Sequence, residues 1–396
     1  DRYQVANFEE PADFYTMMLL LQQTDLLKIE DKKVVGKPQI GIQPLIETLK
    51  DMENAPKMFK ELLKDPLVRS YYQQHGKAEF MIGFSDGAKS GGSFASEWSA
   101  YKCIKQLKRV FKDAGIENVE FFEGRGRGTE RGGLVETGLA GHMLPPEVAV
   151  SGIRDQTIQS DLPMDMAGSH GYGTQQITSM MIGTMSAQVA ATKQLAKLEK
   201  DSNYRDRQAS YEAAMDKIAQ FSEAKYVELV RNTPESLKFL GGQFSNPDRS
   251  SRTPKREGSS KKNFDSQRAI SIEYGMGQAG VPIHNVGLKT ALEKFAAGKN
   301  TVLNKDGVAV HGQEALNVLY EQFKPFRIHV DKTVQGMGIY DPEKFKLYAE
   351  MAGAGKWADN INAELSSVKN SNKNMHESLG LADILIPIQQ RGSGKI

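Results

Sequence analysis

The feature that most constrains the fold is an alternation of short apolar runs with long amphipathic stretches through residues 1–145. Apolar runs lie near residues 3, 42, 82 and 121, and helical patterns cover residues 11–27 and 48–64 between them. A third helix carries Trp98, Tyr101 and Ile104 at spacings of three and stops at Gly115. Strands that alternate with helices are joined by right-handed crossovers into a parallel sheet. The sequence therefore predicts an α/β fold.

The rest of the chain has a different character. Two long helices are predicted at residues 180–200 and 204–230, and shorter ones at 288–297, 312–323, 342–351 and 357–370. Residues 245–262 carry six basic and two acidic side chains, a composition typical of a mobile surface loop. We predict two parts: residues 1–160 with the βα units and the site, and residues 161–396, mainly helical, with the mobile basic loop 245–262.

Composition excludes several classes of protein. With 51 Lys and Arg against 49 Asp and Glu, the net charge of +2 argues against a protein that mainly coats nucleic acid. A single cysteine, Cys103, excludes an internal disulfide framework and fits a reducing compartment. No apolar run approaches the ~18 residues of a membrane span, and no signal peptide is visible. We expect a soluble, cytoplasmic, globular protein without nucleic-acid or membrane partners.

Charged residues follow three of the predicted strands. Glu47, Asp86 and Arg125 stand at successive strand ends, and 39 residues separate each from the next. Because parallel α/β folds gather the ends of their strands at one rim, these side chains are expected to lie side by side. Paired carboxylates suit a hard cation such as Mg²⁺ or Mn²⁺. Each acid alone is better explained as a helix cap or first-turn acid, but the pair favours a metal.

Two glycine-rich segments adjoin these acids. In residues 85–92, Lys89 follows Asp86 by three positions and is placed to reach an anion beside the metal, although an ordinary glycine-rich connector is the alternative. In residues 123–133, Arg125, Arg127 and Arg131 are interleaved with glycines. Arginines suit bidentate contact with phosphate or carboxylate. We favour anion binding there over an RNA-binding RGG-like segment or a solvated basic loop.

A second basic cluster comprises Arg252 and Lys255 within residues 251–256, with Arg268 beyond. From the sequence alone, a solvated loop is the favoured interpretation of this cluster.

Several motifs along the chain occur in the order seen in a known family. Residues 44–55, 81–89, 124–133, 144–154, 233–235, 251–256 and 266–270 resemble segments of phosphoenolpyruvate carboxylase, in the same order and at similar spacing. The resemblance spans about residues 1–290 and is weak beyond.

The resemblance implies the second half of a (β/α)₈ TIM-type barrel with a large appended helical region, assembled as a tetramer. It implies a lyase that joins phosphoenolpyruvate and bicarbonate to give oxaloacetate and phosphate, via carboxyphosphate and the enolate of pyruvate, in anaplerotic carbon fixation. It assigns Mg²⁺ or Mn²⁺ to Glu47 and Asp86, catalysis to Arg131, Arg125, Lys89 and Arg268, and substrate binding to Arg125, Arg131, Arg252, Arg268 and Lys255.

The sequence departs from the family at several points. Glu123 stands where the family has a histidine, Ser90 where it has a second aspartate, and Gly392 where it has an effector-binding asparagine, which argues against feedback by aspartate or malate. The family's amino-terminal half, with its catalytic histidine, has no counterpart in the chain. Four strands cannot close an eight-stranded barrel. We therefore expect another polypeptide or a preceding segment to complete the enzyme, and we expect these residues alone to be inactive. The alternative is a non-catalytic subunit or remnant that keeps the fold and an anion site.

Overall fold

A parallel β-sheet forms the centre of the first part of the chain. The computed structural model describes residues 2–6, 8–124, 143–150, 155–156, 166–242, 264, 276 and 281–378. Its strands here are β1 (Arg2–Val5), β2 (Ile29–Glu30), β3 (Lys33–Val34), β4 (Gly41–Ile46), β5 (Ala78–Gly83), β6 (Val119–Gly124) and β7 (Asp155–Gln156). The sheet has the order β1-β4-β5-β6-β7 with every neighbouring pair parallel, while β2 and β3 form an antiparallel hairpin. The four predicted strands, now β1, β4, β5 and β6, are confirmed.

Helices connect these strands, as crossovers between parallel strands require. They are α1 (Pro11–Gln23), α2 (Leu49–Leu62), α3 (Pro66–His75), α4 (Phe84–Gly91), α5 (Ser93–Asp113), α6 (Pro146–Ala149) and α7 (Met166–Lys200). The start of α3 follows directly from its sequence, because the Asp65 carboxylate accepts from the backbone N–H of Leu67 at 2.9 Å and proline occupies the first helical position. Gly76 ends the helix with a φ of +81°, a conformation that glycine adopts without strain.

Aromatic rings hold the helices against the sheet. Phe59 of α2, Phe80 of β5 and Phe111 of α5 are fully buried. Their ring centroids lie 5.0 Å apart for Phe59 and Phe80, and 5.3 Å apart for Phe80 and Phe111, both in edge-to-face contact. Truncation of such a ring typically costs about 3–5 kcal/mol. Cys103 of α5 belongs to the same core and is 1% exposed, and this burial raises the pKa of its thiol.

The chain divides into two compact units, residues 1–205 and 206–396. The later elements are α8 (Ser202–Tyr226), α9 (Pro234–Gly242), α10 (Leu288–Ala297), β8 (Thr301–Leu303), β9 (Ala309–His311), α11 (Gly312–Gln322), α12 (Lys324–Gly336), α13 (Pro342–Met351) and α14 (Gly355–Ser378). A π-helical turn, Val227–Arg231, continues α8, and β8 and β9 form an antiparallel hairpin. Helices thus hold most of the described residues, and the predominantly helical α/β class is confirmed.

Trp357 lies at the centre of the second unit's core. Its ring contacts Phe239 and Phe345 at centroid distances of 5.2 and 5.5 Å, and its indole N–H donates to the Leu229 carbonyl at 2.7 Å. This bond satisfies a carbonyl inside the π-helical turn. The core of the unit is therefore tied to its irregular segment through one side chain.

A buried carboxylate joins two helices of the same unit. Glu364 of α14 is 5% exposed and accepts from the backbone N–H and the hydroxyl of Thr290, at 3.0 and 2.8 Å. Thr290 lies in the first turn of α10, whose backbone N–H groups have no partner within the helix. Glu364 therefore caps α10 from across the core.

The structure confirms some of the predicted elements, contains others that were not predicted, and leaves some predictions untested. The helices predicted at 288–297 and 342–351 have those bounds, whereas α3, α12 and the two hairpins were missing from the sequence analysis. The predicted boundary near residue 160 and the whole of the basic loop 245–262 lie outside the described residues, and both stay predictions. Closure of the sheet into a TIM-type barrel also stays a prediction. No helix in the described part of the chain is long and apolar enough to cross a membrane.

Candidate active site at the carboxyl edge of the sheet

The candidate site lies where three neighbouring strands end at one edge of the sheet. In the pairing of β4, β5 and β6, Ile46 is level with Ile82, and Gly83 is level with Gly124. Glu47 follows Ile46 directly and therefore stands beside Gly83. The structure confirms that the ends predicted to be neighbours are neighbours.

The environment of Glu47 argues against a capping role for its carboxylate. The next residue, Thr48, is the N-cap of α2: its hydroxyl accepts from the Asp51 backbone N–H at 3.2 Å, and Asp51 accepts from the Thr48 N–H at 3.0 Å. This reciprocal capping box already serves the helix. The helix-cap explanation of Glu47 is therefore wrong.

Gly83 leaves room for Glu47. A β-carbon added at Gly83 would lie 3.3 Å from the Cα and 3.4 Å from the Cγ of Glu47, closer than most such contacts. The absence of a side chain at position 83 therefore shapes the wall beside the carboxylate.

Asp86 and Lys89 lie on α4, a short helix that starts at the end of β5. Asp86 is in its first turn and Lys89 in its last, and Lys89 is only 6% exposed. The Ser90 hydroxyl donates to the Asp86 carbonyl at 2.7 Å. The alternative of an ordinary glycine-rich connector for residues 85–92 is wrong, because residues 84–91 are helical. Asp86 is a first-turn acid, a position that is also compatible with a metal ligand.

The two carboxylates fit one kind of metal site. Across the residues that the structure describes, no group of three or more His, Cys, Asp or Glu side chains could hold a metal ion. A closed zinc site needs four such ligands, whereas Mg²⁺ is often bound through one or two carboxylates with waters and substrate phosphates. Glu47 and Asp86, on neighbouring strand ends, match the second pattern. Their binding of a metal stays a prediction.

The predicted anion-binding residues Arg125, Arg131, Arg252, Lys255 and Arg268 lie outside the described residues. The described part of β6 ends at Gly124, immediately before Arg125, and Gly124 is level with Gly83 in the sheet.

The sequence analysis overlooked a second charged cluster around Glu79, at the opposite edge of the sheet. His75, Lys77 and Glu79 lie within five residues of one another, whereas Arg2 and Lys37 come from separate segments, so no local sequence motif marked the whole cluster.

Comparison with known proteins shows which family the chain belongs to. The family model of phosphoenolpyruvate carboxylase matches residues 1–381. This chain belongs to the phosphoenolpyruvate carboxylase family. The phosphoenolpyruvate carboxylase of Thermosynechococcus vestitus is 24% identical over 357 residues, which cover 88% of this chain and 32% of that protein. That of Corynebacterium glutamicum is 25% identical over 345 residues, or 86% of this chain and 35% of that protein.

Similarity to this family is greater over a shorter stretch. The phosphoenolpyruvate carboxylase of a Thermus species (strain 71) is 37% identical over 147 residues, which cover 36% of this chain and 16% of that protein. The match to the family model extends well past residue 290, where the resemblance in the sequence motifs becomes weak. The chain spans about a third of the length of the relatives that it matches most fully.

Proposed function

We propose that this chain forms part of a phosphoenolpyruvate carboxylase, a lyase that makes oxaloacetate and phosphate from phosphoenolpyruvate and bicarbonate. The observation that carries the proposal is the pair Glu47 and Asp86 at neighbouring strand ends of a chain belonging to this family. In parallel α/β enzymes, functional residues gather at this edge.

The reaction needs positive charge around a phosphate. A bicarbonate oxygen attacks phosphorus, and the bond from phosphorus to the enol oxygen breaks, which gives carboxyphosphate and the enolate of pyruvate. The enolate carbon then bonds to the carboxyl carbon as phosphate leaves. Mg²⁺ or Mn²⁺, when bound, supplies charge that stabilises the phosphate and the enolate oxygen.

The residues of this chain have separate tasks in the proposal. Glu47 and Asp86 hold the metal, and Lys89 contributes positive charge from α4 next to them. Arg125 binds substrate anions, and Arg131 stabilises the transferring phosphoryl group. The sequence resemblance supports further substrate contacts from Arg252, Lys255 and Arg268, with residues 245–262 as a loop that closes over the enolate and excludes water.

The catalytic base and the remaining strands belong to the rest of the proposed assembly. A chain that spans about a third of its relatives supports this division. In this proposal the partner is the amino-terminal half of the enzyme or a second polypeptide. The complete protein is a homotetramer located in the cytoplasm. A barrel completed in this way pairs the outer strand edges, which are costly to leave open.

The experiment is a coupled assay in which malate dehydrogenase reports oxaloacetate made by the complete assembly. We expect turnover that requires both bicarbonate and Mg²⁺ or Mn²⁺. Asp86→Asn should abolish it, whereas Asp113→Asn, at a 73%-exposed acid at the end of α5, is the matched control and should not. Arg131→Ala should lower kcat.

Two outcomes would contradict the proposal. One is a folded, complete assembly with no oxaloacetate formation. The other is an Arg131→Ala change that alters assembly but leaves any turnover unaffected, which would favour a non-catalytic subunit that keeps the fold and an anion site.

A further inference from the structure

A cavity of about 530 Å³ opens at the amino-terminal edge of the sheet, away from the strand ends that carry Glu47 and Gly83. Its size lies within the range of small-molecule sites. It is lined by charged and polar side chains that precede or begin β1, β4 and β5: Arg2, Lys37, Gln39, His75, Lys77 and Glu79.

Glu79 organises the cations around this cavity. Its side chain is 3% exposed, and one carboxylate oxygen lies 2.8 Å from Lys77 Nζ and 3.2 Å from Arg2, while the other lies 3.4 Å from His75 Nε2. Burial alone would raise the pKa of Glu79, but hydrogen bonds from His75 and Lys77 and the charges of Lys77 and Arg2 lower it to about 2. Glu79 therefore stays ionised and holds three basic groups in place.

Gly41 allows this arrangement to sit against the sheet. A β-carbon at Gly41 would come within 2.7 Å of His75 Nε2 and 2.8 Å of Glu79 Oε2. The first residue of β4 is thus as small as it can be where the two side chains meet. The cluster is packed into the fold and is more than a set of solvated surface charges.

Positive charge exceeds negative charge at the cavity. Arg2, Lys37 and Lys77 face one lining carboxylate, Glu79; Glu120 on β6, which does not line the cavity, also pairs with Lys77 at 3.2 Å. Lys37 forms no ion pair with any residue in the described ranges. Within the same ranges, buried His75 Nδ1 has no hydrogen-bond partner. Positive charge therefore remains for a ligand.

We propose that this cavity binds a small anion that carries phosphate or carboxylate groups. Lys37 meets the anion from the open side, and Arg2 and Lys77, oriented by Glu79, complete the cationic wall. Preorganised cations of this kind bind oxyanions through charge-assisted hydrogen bonds. The inference does not depend on the proposed carboxylase activity.

The experiment is equilibrium dialysis of the intact protein with radiolabelled inorganic phosphate at physiological ionic strength, which screens non-specific surface attraction. The variant is Lys37→Glu, and Lys33→Glu, at an exposed lysine of β3, is the matched control. We expect Lys37→Glu to weaken one binding equivalent per chain by at least about tenfold, the loss of one charge-assisted contact. The control should bind as the parent does.

Identical isotherms for the parent and both variants would overturn the proposal, provided that the urea midpoint shows Lys37→Glu to be folded. Phosphate that binds instead at the carboxyl edge of the sheet, near Glu47 and Asp86, would appear as a separate binding equivalent, and Lys37→Glu would leave that equivalent unchanged. Succinate added as a competitor identifies the ligand class: displacement of the Lys37-dependent equivalent extends the site to dicarboxylates, and retention assigns it to phosphate-bearing anions. A missing carboxylase activity would leave this result standing.

Discussion

Ser96 lies directly against Gly87, so that a β-carbon at Gly87 would come within 2.3 Å of the Ser96 hydroxyl oxygen. The contact joins α4, which carries Asp86 and Lys89, to α5 behind it. Among the residues that the structure describes, the Ser96 hydroxyl has no hydrogen-bond partner although it is 1% exposed. The pair therefore acts as a spacer that sets how closely α4 approaches α5.

The first prediction is that Gly87→Ala destabilises the protein. Alanine is favoured over glycine inside a helix by up to about 1 kcal/mol, but a 2.3 Å approach requires either the buried Ser96 hydroxyl or α4 itself to move. Overpacking of this kind costs roughly 1–3 kcal/mol. Urea unfolding should show a lower midpoint.

The control for that prediction is Ser96→Ala, alone and combined with Gly87→Ala. Removal of an unpartnered buried hydroxyl should be nearly neutral. In the double variant the nearest remaining contacts lie at 3.3 Å, so most of the lost stability should return. Additive effects of the two substitutions would show that the Gly87–Ser96 contact does not limit the helix spacing.

The second prediction concerns Gly83→Ala and metal affinity. The backbone there, with φ −91° and ψ 117°, accepts alanine, so the free energy of unfolding should change by less than about 1 kcal/mol. The new methyl group would crowd Glu47. Because Mg²⁺ requires strict geometry, we expect its affinity to fall about 10- to 100-fold, as measured by calorimetric titration. Gly338→Ala, in open space, is the control, and equal affinities in the two variants would refute the role of Glu47.

The third prediction is an acid-dependent loss of stability that originates at Glu79. Its pKa is lowered from 4.5 to about 2 in the folded state, so the unfolded chain takes up a proton first as the pH falls. The contribution of Glu79 to the free energy of unfolding is therefore fully present above about pH 4.5. It is lost between pH 4.5 and 2, by an amount on the order of 3 kcal/mol. Urea unfolding across this range measures it. Glu79→Gln should flatten the slope, and an unchanged slope would contradict the assignment.

The fourth prediction is that Trp357→Phe loosens the π-helical turn. The substitution removes the indole N–H that donates to the Leu229 carbonyl and leaves a buried acceptor unpaired, at a cost of roughly 1–3 kcal/mol. Hydrogen exchange at Val227–Arg231 should become faster. Phe345→Leu, which alters the same core but keeps the hydrogen bond, should destabilise the unit without this local effect; equal exchange in both variants would argue against the role of the bond.

The sequence was sufficient to predict β4 and β5 and the adjacency of the strand ends that precede Glu47 and Asp86, since apolar runs and their spacing report directly on a parallel sheet. It was insufficient for α4. Gly87 and Gly91 weaken the intrinsic helical preference there, whereas the structure shows a helix packed closely on α5. Local propensity carries no information about that contact.

The Glu79 cluster was missed for a different reason. Arg2 reaches Glu79, and Lys37 reaches the same cavity, only because β1 pairs with β4 and β4 with β5. Neither the strand order nor the register of these pairs can be read from local patterns, so the charges looked like ordinary surface residues in the sequence. The same limit applies to Glu364 and Thr290, which are 74 residues apart.

The burial of Cys103 has a practical consequence. It is the chain's one cysteine, and a thiol that is 1% exposed, with a pKa raised by burial, offers almost no thiolate to an alkylating reagent. A cysteine introduced elsewhere on the surface would then be labelled selectively in the native protein, without first replacing Cys103. Spin labels or fluorophores attached near Lys37 and near Lys89 could therefore follow the two edges of the sheet separately in solution.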